Sequence, residues 1–528
     1  MRKLRQWTPL WCAMLFAAAP LLAQHQNVLV SNLNYPNEPC IAIDPNNTGR
    51  MVAAANLNNF YYSSDAGLTW TGGRATSTYG VWGDPVVVAD YQGSFYYFHL
   101  SNPPNGNWID RIVCQKSTDG GKSWSRGTFM GLVPIAGGAK AQDKEWAVVD
   151  RNNHIYVTWT QFDRYGSAAP QDSSIIRFAK STDGGETWSE PVRINQVAGD
   201  AIDSDNTVEG AVPAIGPQGE IYVAWVGPAG IVFDKSTDGG ETWLADDIFI
   251  DAMPGGWNFS VPGIYRCNGF PVTVCDLSDS PQRGTIYVNW SDQRNGEHDT
   301  DIWLAKSHDG GLTWSAPIRV NDDSPGRHQF FTWMTIDQVN GTLYFVFYDR
   351  RNYGDNRTDV FMAMSRDGGA TFTNFQVSES PFTPRPEIFF GDYTSIAAHN
   401  NVVRPIWTRL NNVELSLLTA IVDLDQITGV QDRHALPPQT HAPAQNFPNP
   451  FDEATYLSFK LHRPAILSLK IYDLLGREVA TVIDRKPYGI GQYVESFQPR
   501  DLGLPSGAYY YVLQNGSAVM RNRMIYVK

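Results

Sequence analysis

The octapeptide STDGGETW stands at residues 181–188, recurs unchanged at 236–243, and decides the fold of this chain. Its pattern, Ser-x-Asp-x-Gly-x-Thr/Ser-aromatic, is found four more times, as SSDAGLTW (63–70), STDGGKSW (117–124), SHDGGLTW (307–314) and SRDGGATF (365–372). Aspartate accepts hydrogen bonds from turn amides, and glycine permits the positive φ of a tight turn. Each octapeptide therefore predicts a hairpin turn whose aromatic side chain packs between neighbouring sheets. The aspartates of these turns are Asp65, Asp119, Asp183, Asp238, Asp309 and Asp367.

Each octapeptide closes a larger module of short alternating strands. IYVTW (155–159), IYVAW (221–225) and IYVNW (286–290) each follow another short strand, and LYFVF (343–347) has the same form. One module thus reads strand A, turn, strand B, loop, strand C, octapeptide, strand D. Successive octapeptide aspartates are 54, 64, 55, 71 and 58 residues apart. Four-stranded units at this spacing predict the blades of an all-β propeller.

A seventh module follows at 389–424, and it lacks both the octapeptide and strand D. The segment NVLVSN (27–32) resembles the D strands of the other modules, such as IRVND (318–322). We therefore expect the N-terminal strand to complete the last sheet, which removes the free edges of an open ring. The prediction is a seven-bladed β-propeller over residues 24–424. The alternative is six blades with the last segment as an extra sheet.

The octapeptides resemble the Asp-box, or BNR, repeat of sialidases and related propellers. This resemblance implies that the six aspartates are structural, neither metal ligands nor catalysts. Sialidases have six blades, so the count of seven modules departs from that family. Other Asp-box propellers have seven, among them the xyloglucanase-type and photosystem-assembly-type proteins.

Composition is consistent with this fold and excludes some functions. The chain has 528 residues, of which 42% are hydrophobic and only 18% charged, with 46 glycines and 33 prolines. This favours short strands and tight turns over helical bundles. The net charge of −13 argues against a nucleic-acid partner held through its phosphates.

The N-terminus has the form of a secretory signal peptide, predicted to cover residues 1–23. Arg2, Lys3 and Arg5 precede an apolar run from Trp11 to Leu22. A short membrane anchor is the alternative, although the run is short for a span, and no later segment is apolar enough to cross a bilayer. After cleavage four cysteines remain, without metal-ligand spacing, and we expect buried thiols: Cys40, Cys114, Cys267 and Cys275.

A second domain follows a predicted linker at 425–445, which contains LPPQTHAPAQ. Alternating strands over 446–528 predict a small β-sandwich. Its segments Pro448–Phe451, Ile471–Arg477 and Ser506–Tyr509 closely resemble the type A C-terminal sorting domain of the type IX secretion system. That resemblance implies the secretion machinery as a partner and a secreted or outer-membrane surface location, reached through the periplasm. The alternative is a carbohydrate-binding or spacer sandwich.

Strand direction predicts where a ligand binds. The starts of the A strands and the B–C loops share one face of a propeller, opposite the octapeptide turns, and ligands are expected there around the central channel. Clustered guanidinium groups on this face suit a carboxylate or phosphate. The alternative is that Asp–Arg pairs at these loop ends tie blades together. The A strands begin with Glu38, Asp84, Asp143, Lys144, Glu145, Glu209, Arg266, Arg327, His328 and Asp392, and the B–C loops add Arg294 and Arg351.

The resemblance to sialidases implies roles for some of these residues. Sialidases use a tyrosine nucleophile activated by a glutamate, an aspartate acid/base and three arginines that bind the substrate carboxylate. GDYTS (391–395) looks like the tyrosine segment, so the candidate catalytic residues are Tyr393, Glu209 and Asp392. The candidate ligand-binding residues are Arg266, Arg294, Arg327, Arg351, Asp84 and Glu38. The Phe-Arg-Ile-Pro motif that carries the first sialidase arginine is absent, and NEPC (37–40) stands in the first module instead.

Two further groups of residues are candidates for ligand binding. Asp200, Asp203 and Asp205 could bind Ca²⁺ through carboxylate oxygens or form a solvated acidic loop; no other metal or cofactor is predicted. The loop aromatics Trp82, Trp257 and Tyr353 could stack on sugars or pack blades. The sequence predicts a secreted or surface propeller that acts on or binds glycans, with glycoside hydrolysis as the candidate activity. The alternative is a non-catalytic propeller that binds glycans or proteins.

Overall fold

A computed structural model describes residues 25–424, 427, 446 and 448–528, with gaps at 462–464, 475–476, 489–490 and 516–517. The predicted signal peptide, 1–23, and nearly all of the predicted linker, 425–445, lie outside the described residues. The chain divides into two compact units between residues 428 and 429. Within the described ranges, no helix combines the length and apolar composition that crossing a bilayer requires.

The described part of the first unit contains seven antiparallel sheets of four strands each, one of which carries a fifth short strand. In six of these sheets the strands are consecutive in the chain. The first sheet contains β2 (Cys40–Ile43), β3 (Met51–Ala55), β4 (Asn59–Ser63) and β5 (Thr71–Arg74), and the second contains β6 (Gly83–Ala89), β7 (Phe95–Leu100), β8 (Ile112–Ser117) and β9 (Thr128–Met130). The third contains β12 (Ala141–Val149), β13 (Ile155–Phe162), β14 (Ser173–Ser181) and β15 (Val192–Arg193), and its β14 also pairs with β16 (Gly199–Asp200). The fourth sheet contains β17 (Glu209–Ile215), β18 (Ile221–Gly227), β19 (Gly230–Ser236) and β20 (Ile248–Asp251), and the fifth contains β23 (Val272–Cys275), β24 (Ile286–Asp292), β25 (Asp301–Ser307) and β26 (Ile318–Arg319). The sixth contains β27 (Gln329–Asp337), β28 (Thr342–Asp349), β29 (Asp359–Ser365) and β30 (Thr373–Gln376). Two short hairpins lie between sheets, β10 (Pro134–Ile135) with β11 (Gly138–Ala139) and β21 (Asn258–Phe259) with β22 (Cys267–Asn268).

The seventh sheet joins the two ends of the unit. It contains β31 (Ser395–His399), β32 (Val402–Asn411), β33 (Glu414–Ile421) and, as its fourth strand, β1 (Gln26–Ser31). β1 runs antiparallel to β33 with Gln26 opposite Ile421. The Asn27 amide nitrogen Nδ2 also donates a 2.6 Å hydrogen bond to the Val377 carbonyl, next to the sixth sheet. Asn27 and Val377 are 350 residues apart in the sequence, and the paired strand β33 is further away still.

The first strands of successive sheets contact one another in order, and β31 of the last sheet contacts β2 of the first. The second strands are buried on both faces, because each sheet packs against a neighbour on either side; IYVTW in β13 has no exposed residue. Four of these strands contribute a fully buried tryptophan, at Trp159, Trp225, Trp290 and Trp407. The core is thus a stack of sheets rather than one two-layer sandwich.

The octapeptide turns share one hydrogen-bond pattern. In the fourth sheet, the Ser236 hydroxyl donates to Asp238 Oδ1 at 2.7 Å and accepts from the Gly240 amide at 2.8 Å. The Thr242 amide donates to Asp238 Oδ1 at 3.0 Å, and its hydroxyl donates to Oδ2 at 2.5 Å. In the fifth sheet, the hydroxyl and amide of Thr313 lower the pKa of Asp309 to about 2. Each aspartate is engaged inside its own turn, as the sequence predicts.

Side chains of these turns also connect neighbouring sheets. The ring of Trp243 packs against Phe178 of the preceding sheet, with ring centroids 5.0 Å apart, and Trp314 packs against Phe233 at 5.3 Å. From the other side, Lys180 Nζ donates to the Gly239 carbonyl of the next turn at 2.8 Å. The aromatic position therefore packs between sheets, as predicted.

The second unit has two sheets that share one core. They consist of β34 (Thr455–Leu461) with β37 (Gly491–Phe497), and of β36 (Glu478–Tyr488), β35 (Ala465–Tyr472), β38 (Gly507–Asn515) and β39 (Ala518–Tyr526) in that order, with a 3₁₀ helix at Pro499–Leu502. Leu457 of the smaller sheet and Tyr511 of the larger belong to the same buried cluster.

Residues of the segments Pro448–Phe451, Ile471–Arg477 and Ser506–Tyr509 make hydrogen bonds within this second unit. The Phe451 amide donates to the Ile525 carbonyl at 3.0 Å. Asp473 accepts the Arg477 amide at 3.0 Å and its guanidinium Nε at 2.8 Å. The Tyr509 hydroxyl donates to the Pro505 carbonyl at 2.7 Å. These contacts have clear structural roles within the unit.

The four cysteines of the described residues are free and buried, which confirms the prediction of buried thiols. Cys267 and Cys275 lie on different strands, β22 and β23. Burial raises the pKa of the Cys40 thiol to about 11 and that of Cys275 to about 12.

Candidate functional site

Bulges at the starts of the first strands position the functional side chains. The pairing of first and second strands shifts register after Gly83, Asp143 and Glu209. Asp84 and Lys144, within two of these bulges, have φ of 50° and 52°, values that are uncommon for residues other than glycine. A β-bulge re-aims side chains at the end of a strand. The charged residues at these strand starts consequently converge at one end of the stacked sheets.

Asp392 lies at the centre of this convergence. It accepts a 2.9 Å hydrogen bond from Arg266 Nε and a second from Nη2, and its Oδ2 is 3.2 Å from Lys144 Nζ. Asn268 Nδ2 donates to the Asp392 carbonyl at 3.0 Å. Burial acts to raise the pKa of Asp392, but Lys144 and Arg266 outweigh it and hold the pKa below its ordinary value. Asp392 is therefore an ionised carboxylate with both oxygens in ion pairs.

A cavity of about 100 Å³ opens beside Asp392. It is rich in acids, with only two cations and three aromatic rings. Its carboxyl side chains are Asp84, Asp143, Asp203, Glu209 and Asp392. Its cations are Lys144 and Arg266, and its rings are Tyr165, Trp257 and Phe270. We call this cavity the acidic pocket.

Glu209 lines the acidic pocket and has a buried oxygen without a hydrogen-bond donor. The side chain is only 1% exposed, and its Oε1 receives no hydrogen bond. Burial, and then the charges of Asp203 and Asp143, raise the pKa of Glu209 well above its ordinary value. Burial and the charge of Asp84 do the same for Asp143. A carboxyl group with a raised pKa keeps its proton to higher pH, where it can act as a proton donor.

Glu38 and Glu145 lie behind the acidic pocket. Asn56 Nδ2 donates to Glu38, and Asn56 Oδ1 accepts the Asp84 amide at 2.8 Å, so one asparagine joins two strand starts. Burial and then the charge of Asp84 raise the pKa of both glutamates well above the usual range. Neither oxygen of Glu145 receives a hydrogen bond, although the residue is 1% exposed.

Tyr393 lies in a narrower space next to the acidic pocket. It is 6% exposed, and its ring packs against Trp146 and Trp333 with centroids 5.2 and 6.3 Å away. Burial and then the charges of Asp84 and Glu38 raise its pKa well above the ordinary value. Among the described contacts, no hydrogen bond joins Tyr393 to Glu209. The structure brings the two candidates to one region without pairing them.

The other three candidate arginines lie elsewhere. Arg294 Nη2 bonds to Asp292 at 2.6 Å and Asp251 at 2.7 Å. Arg351 makes the equivalent pair, with Nε 2.8 Å from Asp349. Arg327 is exposed and donates to the carbonyl of the preceding residue at 2.9 Å. Arg266 therefore has no arginine partners at the acidic pocket, and Arg294 and Arg351 tie loop ends as the alternative reading expected.

The three aspartates considered for calcium are separately engaged. Asp200 Oδ1 accepts the Thr207 hydroxyl at 3.2 Å, and Asp205 Oδ1 accepts the Asn258 amide at 2.8 Å. Asp203 accepts the Tyr165 hydroxyl. Within the described ranges, no three His, Cys, Asp or Glu side chains are arranged to hold a metal ion. The calcium interpretation of this loop is therefore not supported, because its carboxylates serve different partners.

A row of exposed aromatic rings leads away from the acidic pocket. Trp108 packs edge-on against Tyr165 with centroids 5.4 Å apart, and Trp82 packs against Trp108 at 5.8 Å. The exposed fractions are 36% for Tyr165, 42% for Trp108 and 38% for Trp82. We call these three residues the aromatic row. Of the other predicted aromatics, Trp257 is buried in the pocket wall and Tyr353 donates its hydroxyl to Asp359 at 2.9 Å.

Sequence reasoning missed several members of this site. Lys144 stood among the strand-start residues without a role, although the triplet Asp143-Lys144-Glu145 interrupts an apolar strand and could have marked it. Asn56, Asn268 and Trp108 carry no signal in the sequence, because their partners come from distant segments.

No protein-family model matches the chain. Over 295 residues it is 24% identical to a sialidase of Bacteroides fragilis (strain YCH46), a match that covers 50% of this chain and 48% of that protein. The chain thus spans about half the length of this curated relative. Among solved structures it is similar to the Hadza microbial sialidase Hz136, with 15% identity, TM-score 0.42 and coverage of 71% and 73% of the two chains. It is also similar to Trypanosoma rangeli sialidase in complex with sialic acid, with 12% identity, TM-score 0.41 and coverage of 86% and 84%. The chain is all-β, and sialidases are among its sequence and structural neighbours.

Proposed function

We propose that the seven sheets are the blades of a closed propeller, with β1 as the strand that closes it. The pairing of β1 with β33 and the contact between β31 and β2 support this arrangement. The acidic pocket then lies at the mouth of the central channel, on the face formed by the starts of the first strands.

We propose that this mouth binds a glycan chain. The observation that carries the proposal is the aromatic row, which ends at Tyr165 in the wall of the acidic pocket. Exposed aromatic rings that are joined in a row form an apolar surface bordered by polar groups, which is characteristic of a binding site. The faces of pyranose rings can stack on such a surface while a terminal sugar enters the pocket. Similarity to a bacterial sialidase is consistent with a carbohydrate ligand.

The test is a glycan array followed by calorimetry on the protein without residues 1–23. We expect Trp108→Ala to weaken binding at least about tenfold, in line with the loss of one stacking contact at the centre of a binding surface. The matched control is Phe249→Ala, which removes an even more exposed ring, 55% against 42% for Trp108, from β20 and leaves binding unchanged. Equal losses in both variants, or no glycan binding by the unmodified protein, would overturn the proposal.

Glycoside hydrolysis is a second candidate, and the specific observation in its favour is Glu209. A buried carboxylic acid with a free oxygen in the pocket has the properties of the proton donor in acid-catalysed glycosidic cleavage. Asp392 is a poor candidate for the second carboxylate, because both of its oxygens are held by Lys144 and Arg266. Asp203 and Asp143 are the neighbours of Glu209 that could supply it.

Turnover of a panel of polysaccharides and fluorogenic glycosides, sialosides included, tests this activity. We expect Glu209→Gln to abolish turnover while ligand binding persists, and Tyr393→Phe to preserve turnover, since the Tyr393 ring is a packing element. Loss of turnover in Tyr393→Phe would instead favour a tyrosine nucleophile. No turnover by the unmodified protein on any substrate would leave a glycan-binding propeller without hydrolytic activity.

We propose that the second unit is the sorting signal that directs export by the type IX secretion system. The three segments that resemble the sorting domain support this, together with the predicted signal peptide at 1–23. In a host with that system, we expect the full chain to reach the surface or medium. A chain ending at residue 428 should fold and accumulate in the periplasm, and its secretion would overturn the proposal.

A further inference from the structure

The acidic pocket has a charge that does not suit an acidic sugar. The pocket is lined by five carboxyl side chains and two cations, and both cations already form ion pairs with these carboxyl groups. Lys144 Nζ is 3.2 Å from Asp392 and 3.5 Å from Asp84, and Arg266 directs two of its nitrogens to Asp392. A sugar carboxylate entering here would have to compete with the ionised Asp392 for Lys144 and Arg266, and it would lie beside the like charge of Asp392. Like-charge contacts of this kind select against a ligand.

The same pocket offers acceptors to a cation. Glu209 lines the cavity, and its buried Oε1 receives no hydrogen bond from the chain. Leaving a buried acceptor unpaired costs free energy, and a ligand that donates to it recovers this cost. Asp203 lies beside Glu209, so two carboxyl groups are available to one donor.

The walls of the pocket favour a cation as well. Tyr165, Trp257 and Phe270 also line the pocket, and the faces of aromatic rings attract ammonium groups within about 6 Å. One protein ammonium group already uses this property, since Lys144 Nζ is 6.0 Å from the centroid of the Phe270 ring and 5.3 Å from that of Tyr393.

We propose that the acidic pocket binds a sugar carrying a free ammonium group, a 2-amino-2-deoxyhexose, through Glu209 and Asp203. The proposal rests on the glycan-binding function proposed above and names its ligand class. The remaining sugars of the glycan lie along the aromatic row, whose uncharged rings do not discriminate between charged and neutral sugars. Acidic sugars such as sialic acid are excluded.

The groups facing Glu209 also imply that binding releases protons. The titratable and charged side chains that line the pocket with it are Asp84, Asp143, Asp203, Asp392, Tyr165, Cys267, Lys144 and Arg266. Burial and its acidic neighbours raise the pKa of Glu209, and an arriving ammonium group favours the ionised carboxylate, so any proton held by Glu209 is released on binding. Calorimetry in two buffers of different ionisation enthalpy measures this release directly.

The experiment compares three probes on the full chain without residues 1–23: a β-1,4-linked glucosamine tetramer, its fully N-acetylated form and sialyllactose, at a pH where the amine is protonated. We expect the glucosamine tetramer to bind at least about tenfold more tightly than the acetylated one, as a charge-assisted hydrogen bond predicts, and sialyllactose not to bind. Glu209→Gln should reduce that preference to within about threefold. Asp203→Asn is a second variant with the same expectation, and thermal unfolding verifies that each is folded.

Equal binding of the two tetramers, or tighter binding of sialyllactose, would overturn the ammonium proposal and leave the glycan-binding function standing. Absence of binding by every oligosaccharide on the array would overturn both. A preference for the glucosamine tetramer that survives in Glu209→Gln and in Asp203→Asn would place the ammonium site elsewhere.

Discussion

Arg404 Nε donates a 2.8 Å hydrogen bond to the main-chain oxygen of Ala66, 338 residues earlier in the chain. Arg404 lies on β32 of the seventh sheet, and Ala66 lies in the octapeptide turn of the first. Lys180 and Lys235 make the same type of contact between consecutive sheets, to the carbonyls of Gly239 and Gly310. The junction between the last and first sheets therefore repeats the contact found between neighbours in the chain, with arginine in place of lysine.

Replacing Arg404 tests this junction. Arg404 is 6% exposed, and its Nη1 also donates to the Val403 carbonyl at 2.7 Å. Arg404→Met keeps the aliphatic stem but leaves two carbonyl groups without donors. We expect the free energy of unfolding to fall by about 2–3 kcal/mol, measured by urea denaturation. Arg366→Met, at an exposed position, is the control and should change it little; equal effects would contradict a special role for the junction.

Asp392→Asn should destabilise the protein strongly. The substitution leaves Lys144, which is buried, and Arg266 without their shared counter-charge, and breaking such a pair costs about 3 kcal/mol or more. The pKa of Asp392 is lowered in the folded protein, so its contribution is present above the ordinary aspartate pKa and is lost as the pH falls through the folded value. Asp355→Asn, in an exposed pair with Arg357, is the matched control. A loss no larger than that of the control would show that Asp392 is dispensable.

Glu145→Gln should have the opposite effect and stabilise the folded protein. The folded protein raises the pKa of Glu145, because burial disfavours its charged form, so ionisation costs stability as the pH rises above the ordinary glutamate pKa. The variant should be more stable than the unmodified protein at pH 8, and the difference should shrink toward pH 4. Thermal unfolding across this range measures it. A gain that is constant with pH would mean that the charge of Glu145 is not the cause.

The four buried thiols should be unreactive in the folded protein. Burial raises the pKa of Cys114 and Cys267 far beyond the ordinary value, as it does for Cys40 and Cys275. In protein lacking residues 1–23 we expect a thiol reagent at pH 8 to label none of them within minutes, and all four after denaturation. Rapid labelling of one cysteine in the native state would identify a sheet that opens locally.

Much of this architecture was predictable because its determinants are local. The strands around IYVTW, IYVAW and IYVNW are β13, β18 and β24, since a strand between two neighbouring sheets must be apolar on both faces. The octapeptide turns are equally local, because Ser, Asp, Gly and Thr satisfy one another within eight residues. NVLVSN was recognisable as β1 from its likeness to the fourth strands.

The site was predictable only in part. Strand direction was enough to place Glu38, Asp84, Glu209, Arg266 and Asp392 at one end of the sheets, where the structure brings them together. It could not distinguish Arg266, which reaches Asp392, from Arg294 and Arg351, which are bound by aspartates two residues away. Those choices depend on side-chain geometry after packing. The enclosure of the Tyr393 ring and the contact of Trp108 with Tyr165 depend on it as well.

The pairing of β1 with β33 has a consequence for the order of events in the cell. β1 has its partner at residues 414–421, so it is synthesised hundreds of residues before it can be paired. During that interval its edge is open to any extended segment nearby, including another copy of the chain. Long-range pairing of this kind is slow. The seventh sheet can therefore be completed only after β33 has been made. Until then, β1 of a nascent chain must be kept from pairing with other segments.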